Sequence, residues 1–302
     1  MAAIDCGTNT IKLLVGNPAG NPSIVVRHSR MVRLGQGVDA TGELAPEALE
    51  RAFAAIDDFA VLIREARATR VRFCATSATR DAANAAEFAS GVRARLAVDP
   101  EVLSGEEEAR LAFDGAVRGL RGLVDLAAPT LIYDIGGGST ELILGDPASG
   151  PTAAHSMDIG SVRLHERHVR HDPATAEELG AVVADIDAAL DASPVSPADA
   201  ASVVAVAGTS TTLAAGVLEL ASYDRTLIHG SVLAVGDVQA QVEQLLSMTV
   251  AERKELGWMH PGRADVIDAG ALIASRVLAR VSVPEVVVAE TDILDGIAWS
   301  LL

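Results

Sequence analysis

One pattern, written twice, constrains this chain more than anything else in it. Ala2 to Gly16 and Leu131 to Gly145 each read as an apolar run ending on an acid, a turn of glycine and polar residues, and a second apolar run. In the later copy, LIYDIGGGSTELILG, the acid is Asp134, the turn is Gly136, Gly137, Gly138, Ser139 and Thr140, and Glu141 opens the return run. In the earlier copy, AAIDCGTNTIKLLVG, Asp5 precedes Gly7, Thr8, Asn9 and Thr10. Apolar runs this short, bounded by glycine, predict strand–turn–strand hairpins. Aligning Asp5 with Asp134 (134 − 5 = 129 residues apart) sets Gly7 on Gly136, Thr10 on Ser139, Lys12 on Glu141 and Leu13 on Leu142. That spacing is too long for a solenoid unit and predicts two similar domains facing each other.

Turns without side chains let backbone N–H groups close on an anion. An acid just before such a turn suits a metal ion held beside a phosphate. An ordinary hairpin with a glycine-rich turn has the same pattern, so the motif alone leaves both readings open. Two further segments run from a strand into hydroxyls and a helix. In VRFCATSATRDAAN, Thr76, Ser77 and Thr79 crowd around Arg80, Asp81 and Asn84, either as an anion seat gripped by Arg80 or as a solvated cap. VVAVAGTSTTLAAGV makes a third phosphate-type turn at Gly208, Thr209 and Ser210. In SGEEEARLAFDGAVRGL, Ser104 can cap a helix whose positive end suits Glu106, Glu107 and Glu108, one of which could instead serve as a general base. Short strands entering such turns, with helices between, predict an α/β fold. GxxxxGK[ST] is absent, which excludes a Walker loop, and no GxGxxG opens a helix at either hairpin, which disfavours a dinucleotide fold.

The net charge of −17, from 24 basic and 41 acidic residues, argues against a nucleic-acid or anionic-membrane surface. A polyanionic substrate must then be held by local cations or a metal. The densest basic run, Arg163 to His171, could receive the far end of such a polyanion or form a solvated helix face. No acid pattern supports a metal set at His165, His168 and His171. The two cysteines, Cys6 and Cys74, sit in apolar runs and read as buried small residues in a reducing compartment. With no signal peptide or membrane-length apolar run, a cytoplasmic protein is expected. Further elements are expected as a strand at 23–34, a helix from Pro46 to about Arg67, a helix at 176–190, a strand at 284–289 and a final helix at 292–302.

AIDCGTNTIKLLV, ATSATRDAAN, LSGEEEARLAFDGA, YDIGGGSTELILG, GTSTTLAA and RADVIDAGALI resemble, in order, the motifs of the exopolyphosphatase/guanosine pentaphosphate phosphatase (Ppx/GppA) family. The resemblance implies duplicated actin-like domains (the ASKHA superfold, ribonuclease H-like) with an interdomain cleft. It implies a first domain at 1–126 and a second at 127–302, with the last helix, about 291–302, packing back on the first. The length is similar to that of the family's short two-domain form. The implied roles are a general base at Glu108, with Asp134 and Glu141 around the metal and attacking water and Asp5 as a further metal position. Phosphate contacts are implied for Asp5 and Gly7 to Thr10, for Gly136 to Thr140, for Arg80 and Asn84, and for Gly208 to Ser210. The implied cofactor is Mg²⁺, with Mn²⁺ as the alternative. The implied substrate is inorganic polyphosphate or guanosine pentaphosphate, and the implied assembly a homodimer. Thr10 stands where the family commonly has Ser, and Lys12 where Arg is common, which keeps the charge but not the bidentate geometry. Only a short lead precedes Asp5, which leaves the completeness of the first strand open.

Water is a poor nucleophile at neutral pH and a terminal phosphoryl group is negatively charged. Hydrolysis therefore needs a base at the water and cations or N–H groups on the phosphoryl oxygens. An exopolyphosphatase is the reading preferred on these residues. A pentaphosphate phosphohydrolase, a sugar- or acetate-kinase-like transferase on the same superfold, and a non-catalytic alarmone or polyphosphate sensor are its rivals.

Overall fold

Both expected hairpins form, and each seeds a sheet. In a computed structural model that describes residues 1–16 and 24–302, β1 (Ala2–Cys6) and β2 (Thr10–Gly16) pair antiparallel with Asp5 opposite Lys12. β3 (Ile24–Met31) continues antiparallel on β2; Ser23, at the start of the expected strand, lies outside the described residues. The chain then passes through α1 (Val38–Thr41) and α2 (Pro46–Glu65), with Pro46 in the first turn of α2, where its missing N–H costs nothing. β4 (Val71–Ala75) returns parallel to β1. α3 (Ser77–Asp81) and α4 (Ala85–Leu96) lead to β5 (Glu101–Val102) beside β4, and α5 (Gly105–Leu120) follows.

The second sheet repeats this plan. β6 (Thr130–Ile135) and β7 (Thr140–Asp146) pair antiparallel with Asp134 opposite Glu141, and β8 (Gly150–Met157) lies outside β7. α6 (Ser161–His168) and α7 (Ala176–Ala192) precede β9 (Ser202–Val206), which is parallel to β6. After α8 (Ala207–Val217) and α9 (Arg225–Ile228) come β10 (Ser231–Ala234), α10 (Val235–Ser247) and α11 (Val250–Glu255). α12 (Ile267–Leu278), β11 (Glu285–Val288) and α13 (Ile293–Trp299) complete the order. The sheets run β3-β2-β1-β4-β5 and β10-β11-β9-β6-β7-β8. Read outward from the hairpin, four consecutive strands correspond, so the fold is the duplicated α/β architecture expected from the sequence. The register even slips at the same place, between Val15 and Gly16 and between Leu144 and Gly145. A glycine in a strand is a common seat for such a bulge.

The chain divides into two compact units: Met1–Gly115 with Ile293–Leu302, and Ala116–Asp292. The division falls within α5, which continues to Leu120, rather than at 126/127. In the first unit, Ile4, Ile11, Leu13, Phe59, Phe73 and Phe88 form a core on one face of the sheet. Phe88 stacks on Phe53 and meets Phe73 edge-on, with centroids 6.0 and 6.1 Å apart. α13 packs on β1, β2 and β4, with the Arg27 guanidinium on the buried Asp295 carboxylate. In the second unit, Leu131, Tyr133 and Leu142 face helices α6, α7, α8 and α12. No helix among the described residues is long and apolar enough to cross a membrane.

Candidate active site

In the first unit the turn after β1 closes with the Gly7 N–H donating to the Thr10 carbonyl at 3.0 Å. Residues beyond β3 hold it from behind: Val32 and Arg33 N–H groups donate to the Asn9 carbonyl (3.0 and 2.9 Å), and the Gly35 N–H donates to the Thr8 carbonyl (2.9 Å). A trans peptide sets its N–H opposite its C=O, so with the Thr8 carbonyl tied back the Asn9 N–H turns the other way. The Asn9 Oδ1 atom is buried without a hydrogen-bond partner among the described residues. The Thr8 and Ser77 hydroxyls meet at 3.0 Å, which fixes the turn to the start of α3. Asp5 and Lys12, opposite one another and therefore on the same sheet face, form an ion pair at 3.5 Å.

α3 and α5 supply an acid and its cation. Ser104 accepts from the Glu107 N–H (3.2 Å) and starts α5. Of the three glutamates in that turn, Glu106 and Glu107 are exposed, and Glu108 is 8 % exposed. The Arg80 guanidinium donates through one nitrogen to the Leu103 carbonyl (3.0 Å) and to Glu108 Oε2 (3.3 Å). A buried carboxylate is costly unless paired, and Arg80 provides the pair.

The second unit presents the same turn in a more complete form. The Gly136 N–H donates to the Ser139 carbonyl at 3.0 Å, the same closure as in the first unit. The first turn of α6 takes up the remaining carbonyls. Ser161 N–H donates to Gly136 (3.0 Å), Val162 and Arg163 N–H groups to Gly137 (2.9 and 3.0 Å), and Arg163 Nε to Gly138 (2.7 Å). The N–H groups of Gly137, Gly138 and Ser139 are thereby directed away from α6, and none is donated within the described residues. Three such N–H groups side by side form an anion nest. Gly160 is what lets α6 lie this close: a Cβ there would stand 2.5 Å from the Gly137 carbonyl group and the Gly138 nitrogen. On the sheet face beside the turn, Asp134 and Glu141 stand directly opposite each other, 7 % and 2 % exposed. Ser156, next across the sheet, donates to Glu141 Oε1 at 2.7 Å.

Against known proteins, residues 14–302 match the model of the Ppx/GppA phosphatase family. Exopolyphosphatase 2 of Mycobacterium tuberculosis is 43% identical over 319 aligned residues, covering 100% of this chain and 98% of that protein. The chain belongs to the Ppx/GppA phosphatase family. A guanosine-5'-triphosphate,3'-diphosphate pyrophosphatase of Photobacterium profundum is 36% identical over 192 residues, covering 63% of this chain and 37% of that protein. A crystal structure of an exopolyphosphatase-like protein superposes with a TM-score of 0.94 at 43% identity, covering 99% and 98% of the two chains. Ppx/GppA membership makes the chain a phosphoanhydride hydrolase.

Set against the roles the Ppx/GppA resemblance implies, the structure places some side chains differently. Asn84 accepts from the Leu44 N–H (2.8 Å) and donates to the Leu44 carbonyl (3.0 Å), so it braces the 42–44 segment. Thr140, fully buried, donates to the Ile159 carbonyl at 2.7 Å and also acts as a brace. Thr10 donates to Met31 Sδ at 3.1 Å. In the third turn Thr209 lies against α12 at Gly270, and Ser210 lies beside the buried Tyr133 phenol. Ala207, just before Gly208, has φ 65, a left-handed conformation that costs a non-glycine residue energy and forces the sharp entry to α8. The basic run is consumed internally: His165 pairs with Asp268, Arg167 and His168 with Asp185, and His171 with Glu178. It is a paired helix face, the plainer of its two readings. Ser156 and Gly160 did not stand out in the sequence, and Arg163 stood out only as part of the basic run. The His-Ser pair common to 28–29 and 155–156 would have flagged Ser156.

No group of three or more His, Cys, Asp and Glu side chains suited to a metal occurs among the described residues. Two hard carboxylates side by side nonetheless fit magnesium, which takes few protein ligands and completes its shell with phosphate oxygens and water.

Proposed function

We propose that the chain is a magnesium-dependent exopolyphosphatase that releases orthophosphate from the end of inorganic polyphosphate. The observation that carries this reading is Glu108, a buried carboxylate held by Arg80, in a chain similar over its full length to a protein named exopolyphosphatase. Glu108 accepts a proton from the attacking water, and Arg80 holds and aims the carboxylate. The Gly137, Gly138 and Ser139 N–H groups hold phosphoryl oxygens, as does the corresponding turn at Gly7 to Thr10 with the Asn9 amide. Asp134 and Glu141 would hold the cation, and Asp5, already balanced by Lys12, would be the lesser donor. Bound magnesium would offset the charge that gathers on the departing phosphate chain. Manganese, with the same preference for oxygen, would substitute.

Measured phosphate release from long-chain polyphosphate tests the assignment. Glu108→Gln is expected to lower kcat by about 10²- to 10⁴-fold with little change in KM. Undiminished release in that variant would remove Glu108 from the chemistry. The match to the Photobacterium protein favours a second reading, hydrolysis of guanosine pentaphosphate to the tetraphosphate. Comparing kcat/KM for the two substrates decides between them, and a higher value for the nucleotide would replace the first reading. Cytoplasmic location and a homodimer complete the proposal. Light scattering at micromolar concentration reads the latter directly.

A further inference from the structure

One sequence motif, RADVIDAGALI, remains without a role in this chemistry, although it contains two buried residues that touch the phosphate turns' supports. Asp268, in the first turn of α12, is 2 % exposed. One of its oxygens meets His165 Nδ1 at 3.0 Å, and the other lies 3.6 Å from Arg253. Arg253 is itself 1 % exposed and donates to the carbonyls of Leu245 (2.9 Å) and Ala264 (3.1 Å). A buried arginine and a buried aspartate are expensive to desolvate unless each completes the other, so this chain of contacts has a narrow set of stable geometries. Its half-buried end is His165, in the middle of α6. The first turn of the same short helix carries the three N–H groups that fasten Gly136 and Gly137.

Gly270 adds a second anchor from the same turn of α12. A Cβ at this position would fall 2.7 Å from Thr209 Oγ1 and 3.1 Å from Ser161 Cβ. α12 therefore touches the start of α6 and the start of α8 at one point, and Asp268 holds α6 one turn further on, at His165. A helix held at two points a turn apart resists rolling, and the peptide planes of the glycine turn inherit its orientation.

We infer that Asp268, acting through His165, is a positioning residue for the phosphate-holding turn at Gly136 to Ser139, with Gly270 setting the distance from α12 to α6 and α8. Neither residue touches the phosphate. The inference deepens, and rests on, the reading of that turn as a phosphate seat. Its structural half stands apart from that reading: breaking the His165–Asp268 contact frees the α6 N–H groups from the turn whatever the turn binds.

The experiment compares the full-length wild type with His165→Leu, His165→Gln, Gly270→Ala and, as a control on a solvent-facing pair of the same segment, His171→Ala. Hydrogen exchange over residues 160–166 reports the Ser161, Val162 and Arg163 amides, and polyphosphate hydrolysis at saturating magnesium is measured well below each variant's Tm. His165→Leu is expected to exchange at least about tenfold faster there and to lose about ten- to a hundredfold in kcat/KM, the scale of a reacting group displaced by about an ångström. His165→Gln, which can still donate to Asp268, is expected to recover most of both. Gly270→Ala is expected to follow His165→Leu, and His171→Ala to match the wild type. Unchanged exchange in His165→Leu, or a lowered Tm with unaltered exchange at 160–166 and unaltered kcat/KM, overturns the positioning role. If exchange rises as expected but the wild type neither binds nor hydrolyses polyphosphate, the functional reading fails and the positioning role stands.

Discussion

Lys12 and Glu141 occupy the same slot in the two hairpins, opposite Asp5 and Asp134, and their opposite charges separate what the two halves can do. Lys12 neutralises its acid; Glu141 doubles its acid and so calls for a cation. Ser156 orients Glu141 through a 2.7 Å hydrogen bond. Ser156→Ala is therefore expected to weaken magnesium by about tenfold, read as the metal concentration giving half-maximal activity and as Mn²⁺ binding by calorimetry. The cysteines are expected to be inert. Burial drives the Cys74 thiol up to about 12 and raises Cys6 as well, so neither is a thiolate at pH 8. Both should resist a thiol reagent in the native protein and react once it is unfolded in guanidinium. The sequence disclosed this level of detail unevenly. Asp5, Glu108 and Asp134 stood out in the sequence because an acid beside a turn or a cap has few uses. The contacts of Asn84 and Thr140 were hidden, because an amide or hydroxyl near a glycine turn can brace the backbone, and only the position of Leu44 or Ile159 in the fold reveals that it does.

At the scale of elements, the hairpins were readable because a short apolar run ending at a glycine turn and followed by another has few alternatives to a strand pair buried on both faces. The third strand of each sheet was read less fully. β3 and β8 carry His-Ser in the same register as each other, opposite Leu13-Lys12 and Leu142-Glu141, but no residue beside these pairs repeats between the two strands, which hid the echo. α6 was seen only as a basic face, because the acids that pair with it, Asp185 and Asp268, come from α7 and α12. Gly160→Ala would push this helix off the turn, so its kcat/KM for polyphosphate should fall by about tenfold or more with far-UV dichroism unchanged. The connection before α12 carries a pH signature. Burial and the neighbouring Arg263 guanidinium hold His260 below its ordinary pKa of 6.5, and its Nδ1 accepts from the Gly262 N–H. The unfolded chain then binds the proton more readily than the folded one, so stability is full above pH 6.5 and declines as the pH falls below it. His260→Gln should flatten that decline in Tm measured from pH 7.5 to 5.5, and an unchanged slope would assign it elsewhere.

At the scale of the molecule, the first unit is discontinuous: Met1–Gly115 is completed by Ile293–Leu302. Arg27 and the buried Asp295 fasten the returning helix, and Arg27→Met should cost about 3 kcal/mol in urea unfolding, because it takes a cation away from a buried carboxylate. The arrangement also bears on how the chain is made. A ribosome adds about 5–20 residues each second, so the sheet built first waits on the order of ten seconds, while Ala116–Asp292 is synthesised, for the helix that covers it. Throughout that interval the nascent chain carries a finished hairpin with one face bare, a surface that chaperones bind. A stop codon placed just before Ile293 would make the interval permanent, and it would injure the half of the protein farthest from it in the gene.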